Sequence, residues 1–320
     1  MSTSSKPALL QIFPLNLPYA QERLSRNFEV IEAWKAADLA ALASQHKDQI
    51  QAIVTSATTP TSAALIDSLP NLKAICSQGV GYDAIDVKHA QSKGIQVSNT
   101  PDVLNDCVAD LAFGLLLATA RNLGHADRYV RANQWGSGTS FPIGTQVSHK
   151  KLGIVGLGRI GMAIAQRASG FSMDIRYHNR NQRNDVPYGY MASLTDLASW
   201  ADFLIIATVG GPNTRGLINA EVLKALGPKG AIVNISRGSV IDQAAMVKAL
   251  AAGELGGAGL DVYEAEPTVP DELKTMDNVV LTPHIASATS ETRKAMIDLV
   301  LDNVDAYAST GKVITPIPAL

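Results

Sequence analysis

The stretch Leu152-Gly-Ile-Val-Gly-Leu-Gly-Arg-Ile-Gly161 is an apolar run followed by a glycine-rich turn, and it decides the fold of this chain. The apolar residues predict a strand over Leu152–Val155, and the residues after the glycines predict a helix from Met162 to Ala168. A strand before the glycines and a helix after them are the context that a dinucleotide-binding turn requires. A glycine-rich turn without a ligand is the alternative. We favour the dinucleotide-binding turn because strand, glycines and helix come in the required order.

Each glycine of this turn has a separate physical role. Gly156 permits a tight turn, Gly158 lets the backbone approach a pyrophosphate, and Gly161 allows the helix to pack closely on the strand. The N-terminus of the helix offers N–H donors and a favourable dipole to the phosphates. The turn is therefore predicted to hold a nicotinamide dinucleotide.

Short β-branched runs alternate with alanine-rich helical segments on both sides of this turn, which indicates parallel α/β sheets. The strands predicted before it are Ala8–Phe13, Ala52–Thr55, Ala74–Ser77 and Ile95–Ser98, followed by a long helix from Val103 to Arg121. The strands predicted from the turn onward are Leu152–Val155, Asp174–His178, Phe203–Thr208, Ala231–Ile235, Gly257–Asp261 and Val279–Thr282, followed by a closing helix from Ser290 to Ala308. Six strands separated by helices make a full dinucleotide-binding sheet.

The bulk composition fits a well-packed enzyme, with 46% hydrophobic and 18% charged residues among 320. A formal charge of -2 gives no electrostatic reason to expect nucleic acid or an anionic membrane as a partner. Cys76 and Cys107 have no metal-ligand spacing, so we expect neither a metal site nor a disulfide framework. Because the first residues lack the apolar stretch of a signal peptide, the expected location is the cytoplasm.

The residues after the second strand of the glycine-turn sheet indicate which dinucleotide is bound. An acidic residue about twenty positions beyond the glycines would bind an adenosine ribose and repel a 2′-phosphate. Here Asn179 is a neutral donor, Arg180 and Arg183 are cations, and no carboxylate stands at that position. Guanidinium groups suit a phosphate, so we predict NADPH, with NADH binding more weakly. The alternative is that both arginines are solvated loop charges. The predicted cofactor-binding residues are Gly156, Gly158, Arg159, Ile160, Gly161, Asn179, Arg180, Arg183, Thr208, Val209, Ile235 and Asp261.

Three motifs at the ends of late strands carry the candidate catalytic residues. They are Asn234-Ile-Ser-Arg-Gly-Ser239, Gly259-Leu-Asp-Val-Tyr-Glu-Ala-Glu-Pro267 and Thr282-Pro-His-Ile-Ala-Ser287. Reduction of a keto acid needs a cation that holds the carboxylate and polarises the carbonyl, which suits Arg237. It also needs a proton donor near neutral pH, which suits His284, and a carboxylate that orients the imidazole, which suits Glu266. Taken singly, the three residues have structural alternatives: a helix cap, a solvated loop acid and a core histidine. Their placement on consecutive strand ends favours the catalytic interpretation.

A second glycine-rich loop, Ser77-Gln-Gly-Val-Gly-Tyr-Asp83, follows a strand of the first region. The backbone N–H groups of Val80 and Gly81 suit a substrate carboxylate. A simple strand-to-helix turn explains the same glycines, and spacing alone does not decide between the two.

Together these motifs resemble the D-isomer-specific 2-hydroxyacid dehydrogenase family over essentially the whole chain, with the greatest likeness to its glyoxylate/hydroxypyruvate reductase and hydroxyphenylpyruvate reductase branch. The resemblance implies that Arg237, Glu266 and His284 are the catalytic triad and that Asp261 contacts the nicotinamide carboxamide. It also implies that the Val80 and Gly81 amides bind the substrate.

The same resemblance implies a domain organisation. It predicts two doubly wound, Rossmann-like domains, with a discontinuous substrate domain (residues 1–100 and 287–320) around a dinucleotide-binding domain (101–286). It further implies a homodimer in which the polar segment from about 124 to 150 is a dimerisation arm, and Trp135 resembles the arm tryptophan that reaches the partner's active site.

Two other functions are compatible with this fold. Formate dehydrogenases have glutamine where Glu266 stands, which counts against that activity. A nucleotide-sensing co-repressor scaffold would retain the fold and the triad without turnover, but such proteins carry partner-binding terminal extensions, which we do not expect here. Within the family, an arylpyruvate or 2-ketogluconate reductase remains an alternative to a glyoxylate/hydroxypyruvate reductase.

Overall fold

The computed structural model describes residues 6–138 and 140–319. The strands are β1 (Ala8–Gln11), β2 (Glu29–Ile31), β3 (Ile50–Ser56), β4 (Ala74–Gln78), β5 (Gln96–Ser98), β6 (Lys151–Val155), β7 (Asp174–His178), β8 (Gly189–Tyr190), β9 (Phe203–Ile206), β10 (Ala231–Asn234), β11 (Gly257–Leu260) and β12 (Val279–Leu281). The α-helices are α1 (Ala20–Asn27), α2 (Leu39–Gln45), α3 (Ala63–Asp67), α4 (Val87–Ser92), α5 (Asn105–Ala120), α6 (Leu123–Arg131), α7 (Arg159–Ser169), α8 (Leu194–Trp200), α9 (Ala220–Leu226), α10 (Gln243–Ala251), α11 (Asp271–Thr275) and α12 (Ser290–Thr310).

These elements divide into two compact units. One comprises the residues up to Leu104 together with those from Thr289 onward, and the other comprises Asn105–Ala288. The predicted α/β class with two doubly wound parallel sheets is confirmed.

The first unit contains a five-stranded parallel sheet in the order β2-β1-β3-β4-β5. One hydrophobic cluster covers each face: Ile53 and Ile75 belong to one, and Val54 and Cys76 belong to the other. The second face packs against α1 and α12, so the closing helix completes this unit. Both faces are apolar because helices cover them, as parallel sheets require.

The second unit contains a seven-stranded parallel sheet in the order β12-β11-β10-β9-β6-β7-β8. The chain order reverses between β6 and β9, and ligands of open α/β sheets bind at such a switch point, outside the carboxyl ends of the strands. The central strands are fully buried, as shown by Ile154 and Ile205. Truncating either side chain to alanine would cost about 2–5 kcal/mol of folding stability.

The structure differs from the sequence-based expectations in three elements. Two short strands were not predicted: β2, where only Ile31 is buried, and β8, which consists of two residues paired with β7. A helix that was not predicted, α6, occupies Leu123–Arg131 in the first part of the proposed arm, after a left-handed break at Asn122. Thr139, within that arm, lies outside the described residues.

No single described helix is long and apolar enough to cross a membrane; α5 and α6 pass that test only when joined, and they are bent by 61° at their break.

Candidate active site

The glycine-rich turn lies at the switch point of the seven-stranded sheet and requires its glycines. Gly156 follows β6 with φ of +97°, and a Cβ on it would lie 2.6 Å from the Cα of Thr208 beyond β9. A Cβ on Gly161 would lie 2.3 Å from the carbonyl oxygen of Gly156, so α7 approaches the turn too closely for any side chain. Both positions therefore match the roles predicted from the sequence.

The N-terminus of α7 suits the phosphates of a dinucleotide. Its N-cap residue is Gly158, so no side chain caps the first N–H groups, and nothing lies within 4 Å of where a Cβ of Gly158 would be. Several other helices begin after a polar side chain that accepts one of these N–H groups, as Ser193 does for α8 and Asp242 does for α10. The open N–H donors and the helix dipole fit a pyrophosphate.

Other predicted cofactor-binding residues lie at or just beyond the neighbouring strand ends of this sheet. Arg159 and Ile160 open α7. Val209, just beyond β9, is 67% exposed, which is unusual for an apolar residue at the switch point of the sheet. The Thr208 carbonyl accepts a hydrogen bond from the Ser236 hydroxyl, and Ile235 is buried. Thr208 and Ile235 thus shape the backbone around the turn, and Val209 offers an apolar side chain to a ligand.

The loop after β7 differs from the sequence-based expectation in two respects. The side-chain oxygen of Asn179 accepts a hydrogen bond from Leu157 N at 2.7 Å, so this residue serves as an acceptor for the glycine turn. Arg183 forms an ion pair with Asp185 and also donates from Nη1 to Leu157 O at 2.9 Å. The sequence interpretation found no carboxylate here because it considered only the position at the strand end. Asp185 lies six residues beyond Asn179, so it fell outside that position.

Glu266 and His284 form a hydrogen-bonded pair, as predicted from their motifs. Glu266 Oε2 lies 2.7 Å from His284 Nδ1, and Glu266 Oε1 accepts a hydrogen bond from Tyr263 N at 3.0 Å. Both side chains are about one-third exposed, at 33% for His284 and 30% for Glu266, so the pair remains open to solutes. The pairing leaves His284 Nε2 as the ring nitrogen that faces away from the carboxylate.

The electrostatics of the pair favour an ionised carboxylate. Partial burial would raise the pKa of Glu266, but hydrogen bonds from His284 and Tyr263 N, and the charges of His284 and Arg237, lower it below its ordinary value of 4.5. A charge-assisted hydrogen bond of this kind holds the imidazole in one orientation.

Arg237 belongs to the same sheet edge. It follows β10 and caps a short 3₁₀ helix at Gly238–Val240 in an extended conformation, and its carbonyl accepts a hydrogen bond from Asn234 Nδ2 at 3.0 Å. Its Nη1 donates to the carbonyl oxygen of Ser236 at 2.9 Å, which directs the half-buried guanidinium along the strand end. The charge of Arg237 acts on Glu266, so the structure brings all three candidate catalytic residues together.

Asp261 is fully buried, and its carboxylate has partners within the chain. It accepts hydrogen bonds from the Thr282 hydroxyl at 2.7 Å, from Ile285 N at 2.8 Å and from Ala286 N at 2.8 Å. These contacts organise the loop that carries His284. The sequence had assigned Asp261 only to the nicotinamide, and no local motif reveals this structural role because its partners lie 21 to 25 residues away.

Val80 and Gly81 lie in the loop after β4 of the first unit. Gly79 precedes them with φ of +125°, its N–H donates to the Thr100 hydroxyl at 2.9 Å, and the Val80 carbonyl accepts from Asn99 Nδ2 at 2.8 Å. The loop backbone is therefore held by side chains that follow β5. Trp135, after α6, is 82% exposed and makes little contact within its own chain.

The fold and this site define a class of protein: the chain belongs to the D-isomer-specific 2-hydroxyacid dehydrogenase family. The family model for the NAD binding domain of D-isomer specific 2-hydroxyacid dehydrogenases matches residues 113–286. The chain is 44% identical to a glyoxylate/hydroxypyruvate reductase A of Arabidopsis thaliana over 97% of its length and 98% of that protein. It is 43% identical to a hydroxyphenylpyruvate reductase of Plectranthus scutellarioides, with the same coverage of 97% and 98%.

A solved structure shows the same fold. It is an NADPH-dependent glyoxylate/hydroxypyruvate reductase from Sinorhizobium meliloti in complex with NADP and malonate. It matches this chain with a TM-score of 0.91 and 43% identity, covering 98% of each chain. The family and branch inferred from the motifs are confirmed.

Proposed function

We propose that this protein is an NADPH-preferring reductase that converts small 2-keto acids of the glyoxylate/hydroxypyruvate type to D-2-hydroxy acids. The observation that carries the proposal is the hydrogen bond between Glu266 and His284, within reach of the Arg237 charge. All three residues lie in the unit that contains the glycine-rich turn. The D configuration of the product is supported by membership of the family.

His284 is the proton donor in this proposal. Because Nδ1 is paired with Glu266, Nε2 is the nitrogen left to give a proton to the carbonyl oxygen of the keto acid. Glu266 stabilises the protonated imidazole and fixes its orientation. In the reverse direction Nε2 accepts the proton of the hydroxyl group.

Arg237 is the electrophilic group in this proposal. Its planar guanidinium can hold a substrate carboxylate and polarise the adjacent carbonyl at the same time. The backbone N–H groups of Val80 and Gly81, in the loop after β4, are proposed to bind the substrate carboxylate as well. Residues 1–100 and 287–320 would then form the substrate domain, and residues 101–286 the dinucleotide-binding domain.

The glycine turn, Val209 and Arg180 are proposed to hold the cofactor. When bound, NADPH supplies the hydride that reduces the carbonyl carbon. Arg180 is exposed, and no hydrogen bond or ion pair of its side chain is found within residues 6–138 and 140–319, so its charge is available to a 2′-phosphate. No carboxylate replaces Asn179 at the strand end to repel that phosphate.

A substrate panel tests the proposed activity. Glyoxylate, hydroxypyruvate, 2-ketogluconate and an arylpyruvate would each be reduced with NADPH and with NADH, and kcat/KM compared. We expect the highest values for glyoxylate or hydroxypyruvate with NADPH. Tight binding of NADPH without turnover of any acid would instead support a nucleotide-sensing scaffold.

The protein is further proposed to be a homodimer that uses the 124–150 segment as an arm. Two large apolar side chains of this segment are exposed, Trp135 at 82% and Ile143 at 98%, and the proposed dimer would cover them. Light scattering of the purified chain should give twice the mass of 33.8 kDa. Ile143→Glu should weaken the dimer, and Trp135→Ala should change the KM of the keto acid if the arm reaches the partner's site.

The cytoplasm is the proposed location. Cys76 and Cys107 form no disulfide in the described part of the chain, and burial raises the pKa of the Cys76 thiol to about 11. Unpaired cysteines fit a reducing compartment. The proposed partners are a small 2-keto or 2-hydroxy acid and a second copy of the chain, without nucleic acid or membrane.

A further inference from the structure

The loop from Asn179 to Asp185 is fastened to the glycine-rich turn at a single residue, Leu157. The N–H of Leu157 donates to Asn179 Oδ1 at 2.7 Å, and its carbonyl oxygen accepts from Arg183 Nη1 at 2.9 Å. Both polar backbone groups of Leu157 are therefore held by side chains at the place where an adenosine ribose follows the pyrophosphate. Arg183 is thus a fixed part of the cofactor site.

A buried tyrosine fixes the backbone of Arg183. The N–H of Arg183 donates to the hydroxyl of Tyr177 at 2.8 Å, and that hydroxyl donates to the Arg183 carbonyl at 3.1 Å. Tyr177 lies in β7 and is fully buried. The position of residue 183 therefore follows from the core of the sheet.

Asp185 lies on the Nε and Nη2 side of the Arg183 guanidinium. Arg183 Nε donates to Asp185 Oδ1 at 2.9 Å, and Arg183 Nη2 pairs with Asp185 Oδ2. The hydrogen bond with Asp185 raises the pKa of Arg183, and the same bond lowers the pKa of Asp185. A two-pronged contact of this geometry is also the one that guanidinium groups make with phosphate.

The ion pair changes the charge that a 2′-phosphate would meet. With Asp185 bound to Arg183, Arg180 is the cation of this loop that has no carboxylate partner among the described residues. A phosphate can make a two-pronged contact with Nε and Nη2 of Arg183 only by replacing Asp185. The 2′-hydroxyl of NADH carries no charge and does not compete for Arg183.

From these contacts we infer that Asp185 limits the preference for NADPH, because its carboxylate competes with the 2′-phosphate for the Arg183 guanidinium. The inference rests on the proposed function in that it takes the glycine turn and this loop to be the cofactor site. Asp185 is therefore a specificity-determining residue outside the strand-end position that usually decides between the two cofactors.

Direct binding measurements on the full chain without substrate test this inference. NADPH and NADH would be titrated separately, following nicotinamide fluorescence, for the wild type and for Asp185→Asn. We expect the Kd for NADPH to fall about three- to tenfold in the variant, because the 2′-phosphate no longer competes with a carboxylate for the Arg183 guanidinium, with the Kd for NADH changed less than about twofold. A weaker affinity for NADPH, or an equal change for both cofactors, would overturn the inference.

Two further variants test whether the effect depends on Asp185 and on its contact with Arg183. Asp271→Asn is the matched control: Asp271 is an exposed carboxylate paired with Lys274 at 2.6 Å, beside β12 at the opposite edge of the sheet from β7 and β8. It should leave both affinities unchanged. In an Arg183→Ala background, Asp185→Asn should no longer improve NADPH binding, since the contested cation is gone. A gain that survives there also contradicts competition for Arg183.

The same titrations separate this inference from the function on which it rests. A wild-type chain that binds NADH as tightly as NADPH would contradict the proposed cofactor preference. A wild type that prefers NADPH, together with an unchanged Asp185→Asn variant, would contradict only the role of Asp185.

Discussion

The N–H of His284 donates a hydrogen bond to the carbonyl oxygen of Asp261 at 2.9 Å, and the Asp261 carboxylate accepts from the two N–H groups that follow His284. His284 itself has φ of +53°, a region that residues other than glycine rarely adopt. The buried carboxylate thus supports the loop conformation that presents the imidazole to Glu266. Asp261 acts on the proposed chemistry through His284 as a positioning residue.

Asp261→Asn should destabilise this loop. An asparagine places an NH₂ group against at least one of the backbone donors, and a buried donor left without an acceptor costs about 1–3 kcal/mol. Urea unfolding should show that loss together with a lower kcat, whereas Asp271→Asn should show neither. If unfolding is unchanged and only NADPH binding weakens, Asp261 acts on the nicotinamide and not on the loop.

His284→Ala should remove the proton donor while leaving the cofactor site intact. We expect kcat for keto-acid reduction to fall by about 10²- to 10⁴-fold, the usual contribution of a positioned acid. The Kd for NADPH should stay at the wild-type value, and His46→Ala, in the other unit, should have no effect on either quantity. Loss of cofactor affinity in the His284 variant would contradict the role assigned to it.

Glu266→Gln should change the pH dependence of reduction. Since the pKa of Glu266 is lowered, its carboxylate stays ionised as the pH falls below 4.5, and its stabilising contribution is lost only when the pH passes through that lowered value. Across the working range the anion favours the protonated imidazole, so the neutral variant should lose reductase activity at a lower pH than the wild type does. The measurement is kcat from about pH 5 to pH 8, in steps across the neutral range. If activity falls at the same alkaline pH in the variant and in the wild type, the carboxylate does not act on the proton donor.

Arg237→Ala should raise the KM of the keto acid and lower kcat, because one cation is proposed to hold the carboxylate and polarise the carbonyl. We expect kcat/KM to fall by about 100-fold or more, the scale of losing one donor to a developing oxyanion. Arg237→Lys keeps the charge but not the planar fork, so it should recover only part of the loss. Wild-type kinetics in the alanine variant would remove Arg237 from the site.

The two arginines after β7 should behave differently when replaced. Arg180→Ala should raise the KM for NADPH much more than the KM for NADH, because the Arg180 side chain is exposed and available to a phosphate. Arg183→Ala should weaken both cofactors, since it also removes the hydrogen bond to Leu157 O that supports the glycine turn. Steady-state kinetics with each cofactor measure both effects. If the KM for NADPH alone rises in both variants, the contact between Arg183 and Leu157 does not matter for cofactor binding.

Much of the fold and site could be predicted from the sequence because the deciding signals are local. The glycine turn needs only the spacing of Gly156, Gly158 and Gly161 between an apolar strand and a helix, and β7 was predicted at its observed bounds. The catalytic residues could be paired because each follows a recognisable strand, and parallel strands end at the same edge of a sheet. Of the elements that escaped prediction, β8 consists of two residues that become a strand only beside β7.

The sequence by itself predicted the parallel sheets and the dinucleotide turn, because spacing along the chain encodes both. It also predicted the proposed Arg237, Glu266 and His284 centre, from motifs at strand ends together with the family resemblance. Only the tertiary structure decided what surrounds the turn. In the folded chain Arg183 donates a hydrogen bond to the carbonyl oxygen of Leu157, 26 residues earlier, and pairs with Asp185. Asn179 accepts a hydrogen bond from Leu157 N. The tertiary structure also buried Asp261 beneath the histidine loop. Such contacts depend on which loops the folded sheet brings together, and no short pattern of residue types specifies them.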